Sequence, residues 1–373
     1  MKRAALIGAA LALLGAVFSL KAARKMPDFE VYWRAGQRAA LAEPLYRPED
    51  GHYQYKYLPA FAILAAPLSA LPLPLAKGVW FALSIVVLAA FIAMSIALLP
   101  DRRKRIWVLT TCVVVTMAKF YAHELVLGQV NIWLGAVFIA GILLLRAGRG
   151  APAGVLLALA VVVKPYAVIF LPWLAAIRYG RALMVGLSAM LTAILLPLPL
   201  YGLSATMTLH ADWWRTTSSS TAPNVMNADN VSLAGMYSKW LGPGRTAVAL
   251  AALTGVALFA MMVDTIRRRS GVRDPLGLEA ALLLTLIPLI SPQGWDYVFL
   301  LATPAIVFLV NYEDRLATGW RLSAGIAVAI AAFTLFDVMG RRAYAAFMAT
   351  SILTLCFLVV LGALRALRAE RVA

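Results

Sequence analysis

Charged side chains are scarce in this sequence. They make up 14% of the 373 residues, whereas a soluble domain carries roughly 25%. Apolar residues account for 62% of the chain, and apolar runs of about 15 to 22 residues recur along its whole length. A soluble core contains no such series of long runs, so the sequence predicts an all-α polytopic membrane protein formed by a single domain, residues 1–373.

Cysteine and the motifs of nucleotide and metal enzymes are also rare or missing. The two cysteines, Cys112 and Cys356, lie inside apolar runs and match no CxxC or metal-ligand spacing. The chain contains no GxGxxG, Walker A, HExxH or paired DxD motif. No compact group of carboxylates stands out in the sequence. We therefore expect no cofactor and no metal.

Acidic residues are half as frequent as basic ones. The formal net charge is +17, which in a soluble protein would suggest a nucleic-acid partner. Here the basic residues stand in short runs between apolar segments, a pattern typical of cytoplasmic loops that face anionic lipid. Membrane lipids are therefore the expected partners, and nucleic acid is not.

Hydropathy predicts twelve membrane spans. They are residues 4–20, 78–99, 106–119, 131–145, 152–163, 166–177, 182–200, 245–264, 276–290, 297–311, 321–337 and 344–364. With Lys2 inside, alternation puts both termini and nearly every short basic loop in the cytoplasm. The exception is Arg341-Arg342, which falls outside.

Three segments allow two interpretations. Residues 1–20 could be a signal peptide, but Lys21 follows at once without a convincing A-x-A cleavage site before it, so we favour an uncleaved span. Residues 57–74 could cross the membrane, but their prolines favour a juxtamembrane or re-entrant segment. Around Lys164-Pro165, two short helices could rise and return, or one long helix could kink.

In this topology the polar residues gather on the outer side. Residues 21–77 and 201–244 are the two long extracytoplasmic segments, and all three histidines, His52, His123 and His210, fall on that side. The cytoplasmic loops contribute little beyond arginine, lysine and a few acids. This asymmetry indicates a site at the outer membrane interface, formed by loops and helix ends.

Asp28 and Lys164 are the main ionisable candidates. Asp28 closely follows the first span, where a carboxylate is costly unless it is hydrated, paired or used. It could equally cap a short helix. Lys164 interrupts a long apolar stretch and could bind a phosphate, or could extend its ammonium group from a helix end.

Four polar residues lie where one span ends and the next begins. His123 and Glu124 could move protons, or could be satisfied interfacial groups. Gln129 and Asn131 could bind hydroxyls, or could cap the next span.

Several short segments follow one another in a defined order. They are Asp28-Phe29-x-x-Tyr32-Trp33-x-Ala35-Gly36, Pro44-Leu45-Tyr46, Tyr55-x-Tyr57-x-Pro59, Gly128-Gln129-x-Asn131, Ala153-Gly154 with Lys164-Pro165, and Ser291-Pro292-x-x-Trp295-Asp296-Tyr297. Over residues 25–310 they resemble bacterial glycosyltransferase family 87. The resemblance implies a GT-C fold of about 12 transmembrane helices with extracytoplasmic juxtamembrane helices. It places the protein in the bacterial inner membrane, with an extracytoplasmic active site.

The resemblance also implies a reaction and its residues. The reaction is transfer of a sugar, mannose or arabinofuranose, from a polyprenyl phosphate to a glycolipid or polysaccharide hydroxyl, with Asp28 as general base and inversion at the anomeric carbon. The expected donor-phosphate residues are Lys164, Tyr297, Gln293 and Lys56. The expected sugar and acceptor residues are Glu30, Tyr32, Trp33, His123, Glu124, Gln129, Asn131, Trp295 and Asp296. Tyr297 stands where many members of the family have a histidine.

The alternative is a flippase for polyprenyl-linked lipids or a secondary transporter. Such proteins place ionisable residues near the middle of the membrane and often contain inverted repeats. Here no repeat is visible, and acids are almost absent within the spans, with Asp264 and Asp337 near helix ends. The sequence favours the enzyme.

Overall fold

The computed structural model describes residues 22–370, whose secondary structure is helical apart from one isolated β-bridge. It contains sixteen α-helices. They are α1 Pro27–Ala40, α2 Pro59–Ser69, α3 Leu73–Ala97, α4 Ile106–Leu127, α5 Asn131–Arg146, α6 Gly150–Val163, α7 Phe170–Ala176, α8 Gly180–Leu195, α9 Leu198–Val225, α10 Leu233–Leu241, α11 Arg245–Arg267, α12 Leu276–Ile290, α13 Thr303–Asn311, α14 Thr318–Phe333, α15 Phe336–Ala349 and α16 Ile352–Ala369.

Several of these helices are long and apolar enough to cross a membrane. Four qualify alone, namely α3, α4, α11 and α16. The bent pairs α8–α9 and α14–α15 raise the number to six if each pair is one span. The chain is therefore a multi-pass membrane protein. The number twelve stays a prediction, because it counts shorter helices as spans and includes residues 4–20, which lie outside the described residues.

Basic side chains from many loops meet at one end of the helix bundle, called here the arginine end. Its contacts are Arg103–Asp314, Lys104–Glu313, Arg146–Asp274, Arg146–Ala97, Arg269–Ile177 and Arg365–Asp264. These loops are the ones that alternation of the spans assigns to the cytoplasm. Their contacts therefore agree with the predicted up-and-down order of the helices, while the side of the membrane that this end faces stays a prediction.

The chain rises and returns around Lys164. Helix α6 starts beside Arg181, with an ideal Cβ on Gly150 lying 3.7 Å from the Cβ of Arg181. Lys164 is extended, with φ −141°, because proline disfavours the helical conformation in the residue before it. Helix α7 then leads back to Ile177 at the arginine end. Two short helices, and not one long kinked helix, account for residues 150–177.

The two long polar segments, which were expected to shape the site, both contain helices. In the first, α2 packs along α1 so closely that a Cβ on Gly36 would lie 2.9 Å from the carbonyl group of Ala65. In the second, α9 kinks at Gly202, whose φ is 73°, and lies at 86° to α8. Both segments therefore present fixed helical surfaces at the end of the bundle opposite the arginine end.

Helices α6 and α8 meet backbone against backbone. A Cβ on Gly154 would lie 2.3 Å from the carbonyl oxygen of Ala182, and a Cβ on Gly186 would lie 3.2 Å from that of Gly154. Small residues permit this approach, which is a common way for helices to associate in membranes. The contact holds the helix that ends at Lys164.

We predict that Gly154→Leu strongly destabilises the protein. The side chain would collide with backbone atoms of α8 that cannot move aside, and overpacking of this kind costs about 1–3 kcal/mol or more. Thermal unfolding in detergent would measure the loss. The control is Gly255→Leu in α11, where an added Cβ meets nothing within 4 Å. Equal melting temperatures for the two variants would contradict the close packing.

Candidate active site

The start of α1 is attached to the end of α4. The backbone N–H of Met26 donates to the carbonyl of Val126 at 3.0 Å. Gly128, with φ 71°, ends α4, and a Cβ there would lie 2.7 Å from the Cβ of Phe29. Asp28 stands in the first turn of α1, where the helix dipole favours a carboxylate. The attachment holds Asp28 at a fixed place relative to the residues that follow α4.

Gln129 is the centre of a buried hydrogen-bond network. Its Oε1 accepts from the Lys164 ammonium at 3.3 Å and lies 3.1 and 3.3 Å from the hydroxyls of Tyr32 and Tyr57. Its Nε2 donates to the Tyr297 hydroxyl at 3.1 Å. An ammonium group can only donate, so the amide oxygen must face Lys164 and the amide nitrogen must face Tyr297. Lys164 thereby sets the orientation of the whole network.

Glu124 holds the start of α5 and is completely buried. Its Oε1 accepts from the backbone N–H groups of Asn131 and Ile132, which begin that helix and have no partner within it. Its Oε2 accepts from the side-chain amide of Asn131 at 2.8 Å. The side-chain carbonyl oxygen of Asn131, Oδ1, then accepts from the Tyr166 hydroxyl at 2.8 Å. Glu124 and Asn131 thus position the site through helix α5.

Two lysines face the region of Asp28. Lys164 is 8% exposed, and its ammonium lies 5.6 Å from the ring centres of both Tyr57 and Tyr166, a cation–π arrangement. Burial lowers the pKa of the Lys56 ammonium, and the Asp28 carboxylate acts in the opposite direction. Burial also lowers the pKa of the Lys164 ammonium, and the carboxylates of Glu124 and Asp28 act in the opposite direction. The arrangement brings one carboxylate and two cations to a common place.

A second acidic group lies on the other side of Tyr297. Asp296 is 1% exposed, and its Oδ1 lies 3.2 Å from Nδ1 of His123. The Tyr344 hydroxyl donates to Oδ2 of Asp296 at 3.4 Å. Burial and the nearby Asp296 raise the pKa of the Asp229 carboxyl. His123 is more exposed than its partner, with 38% of its side chain accessible, so this pair can meet a molecule from outside.

The segment that carries Asp296 is held by the loop between α9 and α10. Asn230 pairs with Trp295 in an isolated β-bridge, and its side chain donates to the Pro292 carbonyl at 2.9 Å. A Cβ on Gly294 would lie 2.0 Å from the carbonyl of Pro288, so this position requires glycine. Lys239 secures the same loop by donating to the carbonyls of Ala228 and Asn230 at 2.7 Å each.

The predicted residues therefore fall into two sets. The structure brings Asp28, Tyr32, Lys56, Gln129, Lys164 and Tyr297 together, with His123, Glu124, Asn131 and Asp296 beside them. The others bond elsewhere. Glu30 pairs with Arg34 at 2.7 Å, the Trp33 indole donates to the Leu71 carbonyl at 3.0 Å, and the Gln293 amide donates to Thr221 at 2.9 Å. Trp295 pairs with Asn230 in the isolated β-bridge.

Lys119 and Tyr344 belong to the neighbourhood of Asp296 but are missing from the predicted set. The Lys119 ammonium lies 5.1 Å from the ring centre of Tyr344, and its charge acts on Asp296. Both residues stand at the very ends of predicted spans, 106–119 and 344–364. A polar residue at the end of a span is the only signal that the sequence carries for them.

An apolar groove of about 310 Å³ adjoins Lys164. It lies where α6, α8 and α9 meet. Its lining residues are Leu58, Val161, Val162, Pro165, Val168, Met190, Ala193, Ile194, His210 and Trp213. The groove can take a hydrocarbon chain, and the polar network begins directly beside it, since Leu58 follows Tyr57 and Pro165 follows Lys164.

The fold and the site together define a multi-pass membrane protein with a buried polar network at one end and an apolar groove beside it. Within residues 22–370 no three histidine, cysteine or acidic side chains cluster closely enough to hold a metal ion. Residues 55–292 match glycosyltransferase family 87, and the chain belongs to this family. Membership makes it a glycosyltransferase of the membrane. No curated protein and no solved structure matches the chain.

We expect Gly128→Ala to loosen the attachment of α1. The methyl group meets Phe29 and Met26 and adds a cost of about 1–3 kcal/mol to the strain of a positive φ, about 1–2 kcal/mol. Thermal unfolding measures both costs together, and Gly148→Ala is the control that measures the backbone strain alone. The difference between the two variants gives the cost of the contact with Phe29 and Met26. Gly148 has φ 72°, but nothing lies within 4 Å of its Cβ position. If both variants lose the same stability, the close contact does not matter.

Proposed function

We propose that the chain transfers a sugar from a polyprenyl-phosphate donor to a hydroxyl of a glycolipid or polysaccharide. One observation carries the proposal. A buried lysine, Lys164, borders an apolar groove, and the first turn of α1 places the carboxylate of Asp28 at the same end of the bundle. A lipid-linked anionic donor needs these three features together, a cation for its phosphate, a groove for its tail and a base for the acceptor.

The donor binds with its tail in the groove and its phosphate near Lys164. Prenyl chains are apolar and branched, and the groove is lined almost entirely by apolar side chains. Lys164 provides a positive charge, and the Tyr297 hydroxyl provides a hydrogen bond. Lys56 adds a second cation on the Asp28 side. Gln293 contributes less to phosphate binding, because its side-chain amide already donates to the hydroxyl of Thr221.

Asp28 removes the acceptor proton. The acceptor oxygen attacks the anomeric carbon opposite the phosphate, the bond from that carbon to the phosphate oxygen breaks, and the proton passes to Asp28. The carbon passes through an oxocarbenium-like state, as in glycoside hydrolysis. The leaving polyprenyl phosphate gains negative charge, which Lys164 and Tyr297 stabilise. A single in-line displacement inverts the configuration at the anomeric carbon.

The acceptor approaches from the side of His123 and Asp296. His123 has 38% of its side chain accessible, and its contact with Asp296 sets its ring orientation. Hydroxyl groups of a sugar can donate to and accept from such a pair. We propose mannose as the transferred sugar and arabinofuranose as the second candidate, on the family resemblance of the sequence.

Asp28→Asn should abolish transfer, because an amide cannot accept the acceptor proton. Loss of a general base lowers turnover by about 10²- to 10⁴-fold. The measurement is sugar transfer by purified protein in nanodiscs from a panel of radiolabelled polyprenyl-phosphate sugars. The control is Asp212→Asn, which removes an exposed ion pair with Arg215 at the same end of the bundle and should leave transfer unchanged.

Two outcomes would contradict this proposal. Unchanged transfer by a folded Asp28→Asn protein would remove Asp28 as the base. Specific movement of a donor across the bilayer without any turnover would replace the enzyme by the flippase.

Filling the groove should affect long-chain donors selectively. Ala193→Trp places an indole among the lining residues of α8, so KM should rise about tenfold or more for a long polyprenyl donor and much less for a short one. Leu191→Trp is the matched control, since Leu191 is exposed on the same helix outside the groove. Steady-state kinetics with donors of two chain lengths would measure these KM values for both variants. Equal effects on both donors would place the tail elsewhere.

A further inference from the structure

Two arginines at the outer corner between α14 and α15 have no acidic partner among the described residues. The two helices meet at 105°, so α15 runs across the end of the bundle while α14 runs along it. Arg341 and Arg342 follow Gly340, whose φ of 73° interrupts the helix. Both side chains are exposed. Within the described residues neither forms an ion pair, even with Asp337 four residues before Arg341.

This corner belongs to the end of the bundle that carries the candidate active site. The Tyr344 hydroxyl donates to Asp296 at 3.4 Å. Two contacts with α10 hold the end of α15, from Lys239 to the Met348 carbonyl at 3.2 Å and from the Trp240 indole to the Thr350 carbonyl at 3.0 Å. The basic pair therefore lies at the end of the bundle opposite the arginine end, a few residues before Tyr344, which contacts Asp296.

The same corner exposes large apolar side chains. Phe333 is 61% exposed, Phe336 52% and Val338 75%. Apolar side chains next to arginines at the end of a membrane bundle are typical of an element that lies in the interfacial layer. There the apolar residues contact acyl chains and the arginines lie at the depth of the lipid headgroups.

We propose that Arg341 and Arg342 form a binding site for the phosphate of an anionic lipid at the outer corner of α14 and α15. Guanidinium groups form paired hydrogen bonds with phosphate oxygens, and two adjacent ones can hold a single phosphate from two sides. Charge complementarity selects an anionic headgroup over a zwitterionic one, because the corner offers two positive charges and no paired acid. The bound lipid lies beside Tyr344 and thus beside Asp296.

The site is independent of sugar transfer. It requires only the exposed basic pair, the apolar corner and the membrane interface. In the predicted topology it also gives a physical reason for two arginines on the side where the positive-inside pattern disfavours them, since a lipid phosphate neutralises their charge.

The test is lipid binding by the purified protein. Protein is transferred to nanodiscs with equal parts of dioleoyl phosphatidylglycerol and dioleoyl phosphatidylcholine, released, and examined by native mass spectrometry for retained lipids. We expect a preference for phosphatidylglycerol, and R341Q/R342Q should weaken the tightest-bound phosphatidylglycerol by about 30-fold. The control R47Q/R215Q removes two arginines that are already paired, with Glu43 and Asp212, and should retain the preference.

Three results would overturn the proposal. They are an unchanged preference in R341Q/R342Q, an equal loss in R47Q/R215Q, and no preference in the parent protein. If the double variant cannot be purified, R341Q and R342Q are tested singly. Each should weaken the binding about fivefold, and two singles with the parent preference would again reject the site.

Discussion

The structure of the site depends on one constraint, the burial of the Lys164 ammonium in apolar surroundings. A buried charge is costly unless it is hydrogen-bonded and compensated. Here Gln129 offers its amide oxygen, two tyrosine rings offer their faces, and the charges of Glu124 and Asp28 favour the protonated ammonium. Because Gln129 must turn its oxygen to the lysine, its nitrogen is directed to Tyr297, and the relative positions of these groups follow.

That network also connects the helices that form the site. Tyr32 comes from α1, Gln129 from the turn after α4, Lys164 from the break after α6, and Tyr297 from the segment before α13. Each side chain is brought there by its own local device, such as the positive φ of Gly128 or the proline after Lys164. A change in any of these devices therefore affects a shared network and not one residue alone.

Much of this architecture was predictable from the sequence. Apolar runs mark most of the helices of the bundle, since a membrane requires long apolar segments and basic loops between them. The pair of short helices around Lys164 was also predictable, because Lys-Pro in an apolar stretch disfavours a continuous helix. The helices in residues 201–244 were not foreseen, because that segment is polar and lacks the continuous apolar run that marks a buried helix.

The sequence by itself determined that the chain spans a membrane many times and that its polar residues are unevenly distributed, because both depend on the order of residues along the chain. Only the tertiary structure decided which of those polar residues meet. It placed Lys164 in hydrogen-bond contact with Gln129 and Glu124 in contact with the first backbone N–H groups of α5. It also placed Trp33 and Gln293 outside the network. It also turned α15 across the end of the bundle, so that Tyr344 reaches Asp296. Contacts between distant segments depend on helix packing, which hydropathy and spacing do not encode.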